Sequence, residues 1–154
     1  MKIYIMRHGH AEAATGVFND RERMLSARGR VEAQKVAHWL KENAPPLDGI
    51  WSSPFRRALQ TAEIVHAILN ITSDIKIETD LCVDGCPEQL PSYLLAQSFE
   101  SILLSSHMPL VSSFVAELVQ DTAVAFPTAG LAILECLENE SNRLEKFITP
   151  SEIL

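Results

Sequence analysis

Little in this chain marks a secreted, membrane-bound or metal-stapled protein. Cysteine is limited to Cys82, Cys86 and Cys136. That odd number lacks the paired Cys or His spacing of a zinc site, so neither a disulfide framework nor a structural metal is expected. No apolar run suits a bilayer. The longest charge-free stretch, Ser101 to Ala116, is broken by five serines, a histidine and Pro109, too short and too polar for a membrane span. Near the start, the apolar run Ile3 to Met6 stops at Arg7, too short for a signal-peptide core, and a cytoplasmic location is the expectation. Basic residues are a minority, with 13 Lys and Arg against 20 Asp and Glu, a net charge of −7 and a pI near 5.2. The molecule as a whole therefore offers no attraction for nucleic acid or an anionic membrane surface. Any anion binding has to be local.

What is present is a globular balance, 47% apolar and 21% charged over 154 residues, enough chain to bury one core. No repeat, low-complexity tract or charged linker divides it, and residues 1–154 read as a single domain. Ile3-Tyr4-Ile5-Met6, Gly49-Ile50-Trp51 and Ile102-Leu103-Leu104 are near-continuous apolar runs, as expected of strands covered on both faces. Ile75 to Thr79 and Leu131 to Leu134 are weaker strand candidates. Ala33, Val36, Ala37 and Leu40 recur at helical spacing, predicting a helix over Ala27 to Asn43 capped by Ser26. Ala58, Ala62, Val65 and Leu69 predict a second helix opening after Ser53-Pro54, with Ser as cap and Pro in the first turn. Leu110, Val111, Phe114, Val115 and Leu118 stripe a third. Strand followed by helix, three times over, predicts a three-layer α/β sandwich around a mainly parallel sheet.

Each confident strand is followed by polar or basic residues: Arg7 and His8 after the first, Ser52, Ser53, Arg56 and Arg57 after the second, Ser105, Ser106 and His107 after the third. In an open parallel sheet ligands bind outside the carboxyl ends of the strands, so residues a hundred positions apart converge there. Arginines and histidines gathered in one crevice of an acidic protein describe a pocket for a compact anion, and phosphate suits the planar donor forks of arginine. His10 lacks a third ligand at metal spacing and reads as a loop residue. His38 and His66 lie within amphipathic helices and read as helix-surface residues.

The segment Ile5-Met6-Arg7-His8-Gly9 resembles the signature of the histidine phosphatase superfamily, also called phosphoglycerate mutase-like. Three further blocks follow in order. Arg23-Met24-Leu25-Ser26-Ala27-Arg28-Gly29 is similar to the family's Arg-Pro-Leu-Thr/Ser-x-x-Gly segment, with Met24 in place of proline. Ser52-Ser53-Pro54-Phe55-Arg56-Arg57-Ala58-Leu59-Gln60-Thr61-Ala62 resembles the Ser-Ser-Pro-x-x-Arg-Ala-x-Gln-Thr-Ala block, and Ser105-Ser106-His107 matches the block of the second histidine. The short chain and the run from His107 to Leu118 look most like SixA-type phosphohistidine phosphatases.

The resemblance implies a phosphoglycerate mutase-like fold and assigns roles. His8 matches the nucleophile that takes the phosphoryl group, and Arg7, Arg57 and His107 match the groups that hold its oxygens. Arg23, Arg56 and Ser106 are substrate-binding candidates, while Gln60 and Thr61 are expected to be structural. Neither a metal nor another cofactor is implied. A phosphoester leaving group needs an acid, for which Asp80 and Asp84 are the candidates; phosphohistidine leaves as a nitrogen base with little need of one. The leading expectation is hydrolysis of phosphohistidine on a signalling or phosphotransfer protein, such as a histidine phosphotransfer domain. A small-molecule phosphomonoesterase and a non-catalytic phosphate- or protein-binding module are the alternatives.

Overall fold

The computed structural model describes residues 1–14 and 19–153. In chain order the elements are β1 (Lys2–Arg7), α1 (Ala27–Asn43), β2 (Gly49–Ser52), α2 (Arg56–Leu69), β3 (Lys76–Ile77), α3 (Leu90–Leu95), β4 (Ser101–Ser106), α4 (Leu110–Leu118), β5 (Leu131–Glu135) and β6 (Arg143–Ile148). Short 3-10 turns lie at Asp20–Glu22, Thr79–Leu81 and Pro150–Glu152. The six strands form one sheet in the order β3-β2-β4-β1-β5-β6.

Because side chains alternate across a strand, the apolar runs supply both faces of this sheet. Tyr4, Met6, Ile50, Leu103, Leu131 and Ile133 pack against Ala33, Val36, Ala37 and Leu40 of α1 and Ala62 and Val65 of α2. Ile3, Ile5, Trp51, Ile102, Leu104, Ala132 and Leu134 pack the other way, against α3 and the Leu110, Val111, Phe114, Val115 and Leu118 stripe of α4. The predicted three layers are present. The sheet is mixed, however: β1, β2, β3 and β4 run parallel, whereas β5 is antiparallel to β1 and β6 is antiparallel to β5.

The predicted α1 matches its observed bounds, with Ser26 Oγ accepting the Gly29 N–H at 3.0 Å. α2 begins later than its Ser-Pro signal suggests. Its N-cap is Phe55, and the Ser53 hydroxyl serves the Phe55 N–H in the preceding turn. α3 and β6 carry no clear periodic signal. β6 is an edge strand whose Arg143, Glu145 and Lys146 are exposed, so its apolar residues never form a run.

Two glycines bring the loop after β1 against the start of α1. A Cβ on Gly29 would lie 1.9 Å from the His10 carbonyl oxygen, and one on Gly9 would lie 2.5 Å from the Gly29 oxygen. Both obstacles are backbone, so no rotamer change relieves them. Gly29→Ala is expected to lower stability by about 2 kcal/mol or more and to displace the loop that carries His8. Urea denaturation checks this, and a loss below ~0.5 kcal/mol would show that the two segments separate freely.

Candidate active site

The β1–β4 register pairs Arg7 with Ser106, and the ladder continues one step beyond it as the His8 N–H donates to the Ser106 carbonyl at 3.0 Å. On the other side of β4, the Ser53 N–H donates to the Ser105 carbonyl at 3.0 Å. His8, Ser53 and His107 therefore stand together just past three parallel strand ends. The two imidazole rings lie 5.2 Å apart, centroid to centroid.

The hydrogen bonds determine which nitrogen of His8 is free. Nδ1 lies 2.7 Å from the Gly9 carbonyl oxygen, which can only accept, so Nδ1 carries the proton and Nε2 its lone pair. Toward that lone pair points Arg57, whose Nε–H donates to it at 3.3 Å. At His107 the engaged nitrogen is Nε2, 2.8 Å from Ser53 Oγ, which also accepts the Phe55 N–H. When the Ser53 hydroxyl donates to Nε2, the hydrogen of the neutral ring falls on Nδ1. That Nδ1 is buried without a partner. Arg7 Nε is likewise buried and unpartnered, although its Nη1 donates to the Phe126 carbonyl at 2.8 Å.

Among the described residues these are the two buried side-chain polar atoms left without a partner, and both belong to this cluster. A buried donor without an acceptor costs about 1–3 kcal/mol. Two such nitrogens, beside an imidazole lone pair that meets only the Arg57 Nε–H, describe a pocket suited to an acceptor-rich anion. Burial, reinforced by Arg57, Arg7 and Arg23, pushes the His8 pKa down to about 4. Burial, with His8 and Arg57 next, pushes His107 down to about 3. Both rings are thus neutral near pH 7.

The remaining expected residues divide. Arg23 reaches the cluster through Asp20, donating from Nε to Asp20 Oδ1 at 2.8 Å. Arg56 does not join it; its side chain is exposed, 3.8 Å from Glu22, and lines a surface cleft with Pro54, Leu59, Gln60 and Glu63. The Ser106 hydroxyl is engaged within the scaffold, donating to the Leu81 carbonyl at 2.6 Å and so anchoring the Thr79–Leu81 turn. Asp80 lies within that turn and Asp84 is exposed in the loop beyond it. Among the described residues neither makes a hydrogen bond or ion pair with Arg7, His8, Arg57 or His107. Gln60 and Thr61 hold the frame: Gln60 Oε1 accepts the Leu25 N–H, and Thr61 Oγ1 accepts the Gly9 N–H while donating to the Arg57 carbonyl. Two contacts were not legible beforehand, that of Ser53 with His107 and that of Asp20 with Arg57.

An α/β sandwich with an Arg-His pair at the end of its first strand, and an arginine and a second histidine converging on it, defines a class. The chain belongs to the histidine phosphatase superfamily (branch 1), whose family model matches residues 3–82. It is 33% identical to phosphohistidine phosphatase SixA of Escherichia coli over 99% of this chain and 96% of that protein. A SixA homologue of Haemophilus influenzae is 31% identical over 97% of each. A solved structure of the protein histidine phosphatase SixA complexed with tungstate superposes with a TM-score of 0.92 at 32% identity, covering 99% of both chains.

The depressed histidines also tie stability to pH. Each ring binds a proton less tightly folded than unfolded, where the value is near 6.5, so unfolding takes up protons in between. Their contribution is complete above pH 7 and is lost as the pH falls through 6.5 toward 4, by about 2 kcal/mol per ring at pH 5. Wild-type protein should therefore lose more stability between pH 7.5 and 5 than His8→Asn, measured by urea denaturation. Parallel curves for the two would contradict a proton-free buried His8.

Proposed function

We propose that this chain is a phosphohistidine phosphatase that removes the phosphoryl group from a protein histidine by way of a phosphorylated His8. The observation that carries the reading is the pair of unpartnered buried nitrogens, Arg7 Nε and His107 Nδ1, beside the unprotonated Nε2 of His8. The identity to SixA proteins along almost the whole chain supports the substrate class.

In the first step the His8 Nε2 lone pair attacks phosphorus, and the bond from phosphorus to the substrate nitrogen breaks. Its electron pair stays on the substrate ring, which departs as neutral imidazole when its other nitrogen already holds a proton. Arg7, Arg57 and His107 donate to the phosphoryl oxygens, where charge is balanced during transfer. The positive charge that the His8 ring acquires is met by the Gly9 carbonyl at Nδ1. Water then attacks the phosphoenzyme and releases inorganic phosphate, returning His8 to its neutral form. Arg23 stands at the mouth of the pocket as a substrate contact. The route uses no metal.

We place the reaction in the cytoplasm, on a signalling or phosphotransfer protein. Cys82, Cys86 and Cys136 are all free thiols, in keeping with a reducing compartment. No helix among the described residues is long and apolar enough to cross a membrane.

Phosphate release from a phosphohistidine protein should exceed release from a simple aryl phosphate in kcat/KM. Faster turnover of the aryl ester would assign the pocket to small phosphomonoesters instead. His8→Ala should abolish turnover and the acid-labile phosphoenzyme, a loss of at least ~10³-fold, and Arg57→Ala should lower kcat by about 10²-fold or more. Undiminished activity in His8→Ala would sink the mechanism.

A further inference from the structure

The guanidinium of Arg57 is restrained on three sides before any substrate arrives. Its flat face lies over the Phe55 ring, 5.2 Å from the ring centroid. At its terminal end, Nη1 donates to the Asp20 backbone carbonyl at 2.8 Å and Nη2 to Asp20 Oδ2 at 3.1 Å. What remains is the Nε edge, and that edge faces the His8 lone pair. Asp20 does more than hold one arginine, because its other carboxylate oxygen takes the Nε–H of Arg23 at 2.8 Å. Asn19 fixes the turn from below, its side chain accepting the Glu22 N–H at 3.2 Å.

We propose that Asp20 is a positioning residue, which occupies the terminal end of the Arg57 guanidinium so that its Nε edge is delivered to the phosphoryl group on His8. The proposal rests on the phosphatase reading but concerns how the arginine is aimed. Arginine carries five N–H donors, and three of them are accounted for by His8 and Asp20. The two left over are one on each terminal nitrogen, and the Nη2 hydrogen on the Nε side lies parallel to Nε–H. Together they form a two-pronged donor facing His8, the geometry that binds two phosphoryl oxygens at once. Without the Asp20 side chain, the guanidinium can rotate its terminal end toward the anion. It would then bind phosphate but miss the in-line arrangement, and a displacement of about 1 Å costs roughly 10²-fold in rate.

Charge points the same way. With both histidines neutral, the positive charges of Arg7, Arg23 and Arg57 outnumber the one carboxylate hydrogen-bonded among them, Asp20, a surplus that a phosphoryl anion offsets. A carboxylate held by two arginines stays ionised: hydrogen bonds from Arg23 and the charge of Arg57 outweigh its partial burial and hold the Asp20 pKa below the ordinary carboxylate value. It does not serve as a proton donor.

The test compares wild type, Asp20→Ala and Asp20→Asn. Asp20→Ala should lower kcat ten- to a hundredfold while KM changes less than threefold. Asp20→Asn, which keeps an oxygen for Arg57 Nη2, should recover most of that kcat. The ¹H–¹⁵N signal of Arg57 Nε–H should be sharp in wild type and Asn variant, and broadened by solvent exchange in the Ala variant. A carboxylate that merely competes with substrate predicts the reverse, with higher kcat/KM and tighter orthovanadate binding in Asp20→Ala, and that outcome overturns the proposal. So does an Asn variant as slow as the Ala variant, or an unchanged Nε–H signal. Should wild type release phosphate from no donor, the phosphatase reading fails, while the Nε–H comparison still decides whether Asp20 aims Arg57.

Discussion

Everything at the crevice follows from placing guanidinium groups and uncharged imidazoles in one buried space. Burial disfavours charge on any of them. Arg7 and Arg57 stay cationic at neutral pH because arginine begins so far above it, although burial lowers both. The histidines have no such reserve and lose their protons. The result is a set of donors around a nucleophilic lone pair, with positive charge that only an incoming anion neutralises. A pocket arranged for tight substrate-free packing would have given Arg7 Nε and His107 Nδ1 acceptors of their own. The stability forgone by leaving them bare is recovered when a phosphoryl oxygen arrives, which is how a site favours its bound and reacting states.

The scaffold makes that arrangement reproducible. Backbone pairing of β1 with β4 and of β4 with β2 decides where the strand ends fall, and His8, Ser53 and His107 are the next residues along. Thr61 then locks two of those elements together, because one hydroxyl accepts from the loop of His8 and donates to the turn of α2 that carries Arg57. The close approach of Gly9 and Gly29 fixes the same loop from the side of α1. His8 is thus held through its backbone, its neighbour's amide and its own ring nitrogen, none of which involves substrate. Pre-set geometry of this kind lowers the entropic part of the barrier.

Much of this was readable because the relevant strands are central. β1, β2 and β4 are covered on both faces, so each announces itself as an apolar run, and the residues that follow are by construction at the crevice. β6 is the counterexample. It lies at the sheet edge, and in Arg143-Leu144-Glu145-Lys146-Phe147-Ile148 the apolar residues neither form a long run nor alternate regularly with the charges, so nothing separates it from loop sequence. The serines show the limit of position-based reading. Ser105 and Ser106 stand within the strand, where side chains point above or below the sheet, and they bond to Ala58 and Leu81 respectively. Ser53 is past the end of its strand and meets His107. Choosing among them requires the pleat and register, not the motif. Asp20 was hidden for another reason: in Asp20-Arg21-Glu22-Arg23 every residue is charged, and only the folded turn distinguishes the carboxylate that bridges Arg57 and Arg23.

The chemistry of the leaving group connects these points. Expelling an alkoxide from a phosphoester requires a proton donor close to the departing oxygen. The carboxylate hydrogen-bonded to this cluster, Asp20, is held ionised by two arginines and has no proton to give. His107 is neutral, and a neutral imidazole N–H is far too weak an acid to take over that task. Asp80 and Asp84 sit in and beyond the turn anchored by Ser106, and among the described residues neither is hydrogen-bonded or ion-paired to Arg7, His8, Arg57 or His107. A nitrogen leaving group escapes the requirement, since its proton travels on the ring that departs. The burial and the arginines that leave the histidines neutral, and so without an acidic proton for an alkoxide, are what keep the His8 lone pair available. Selectivity for a phosphoryl group on nitrogen is, on this reading, a consequence of how the nucleophile is kept free of its proton.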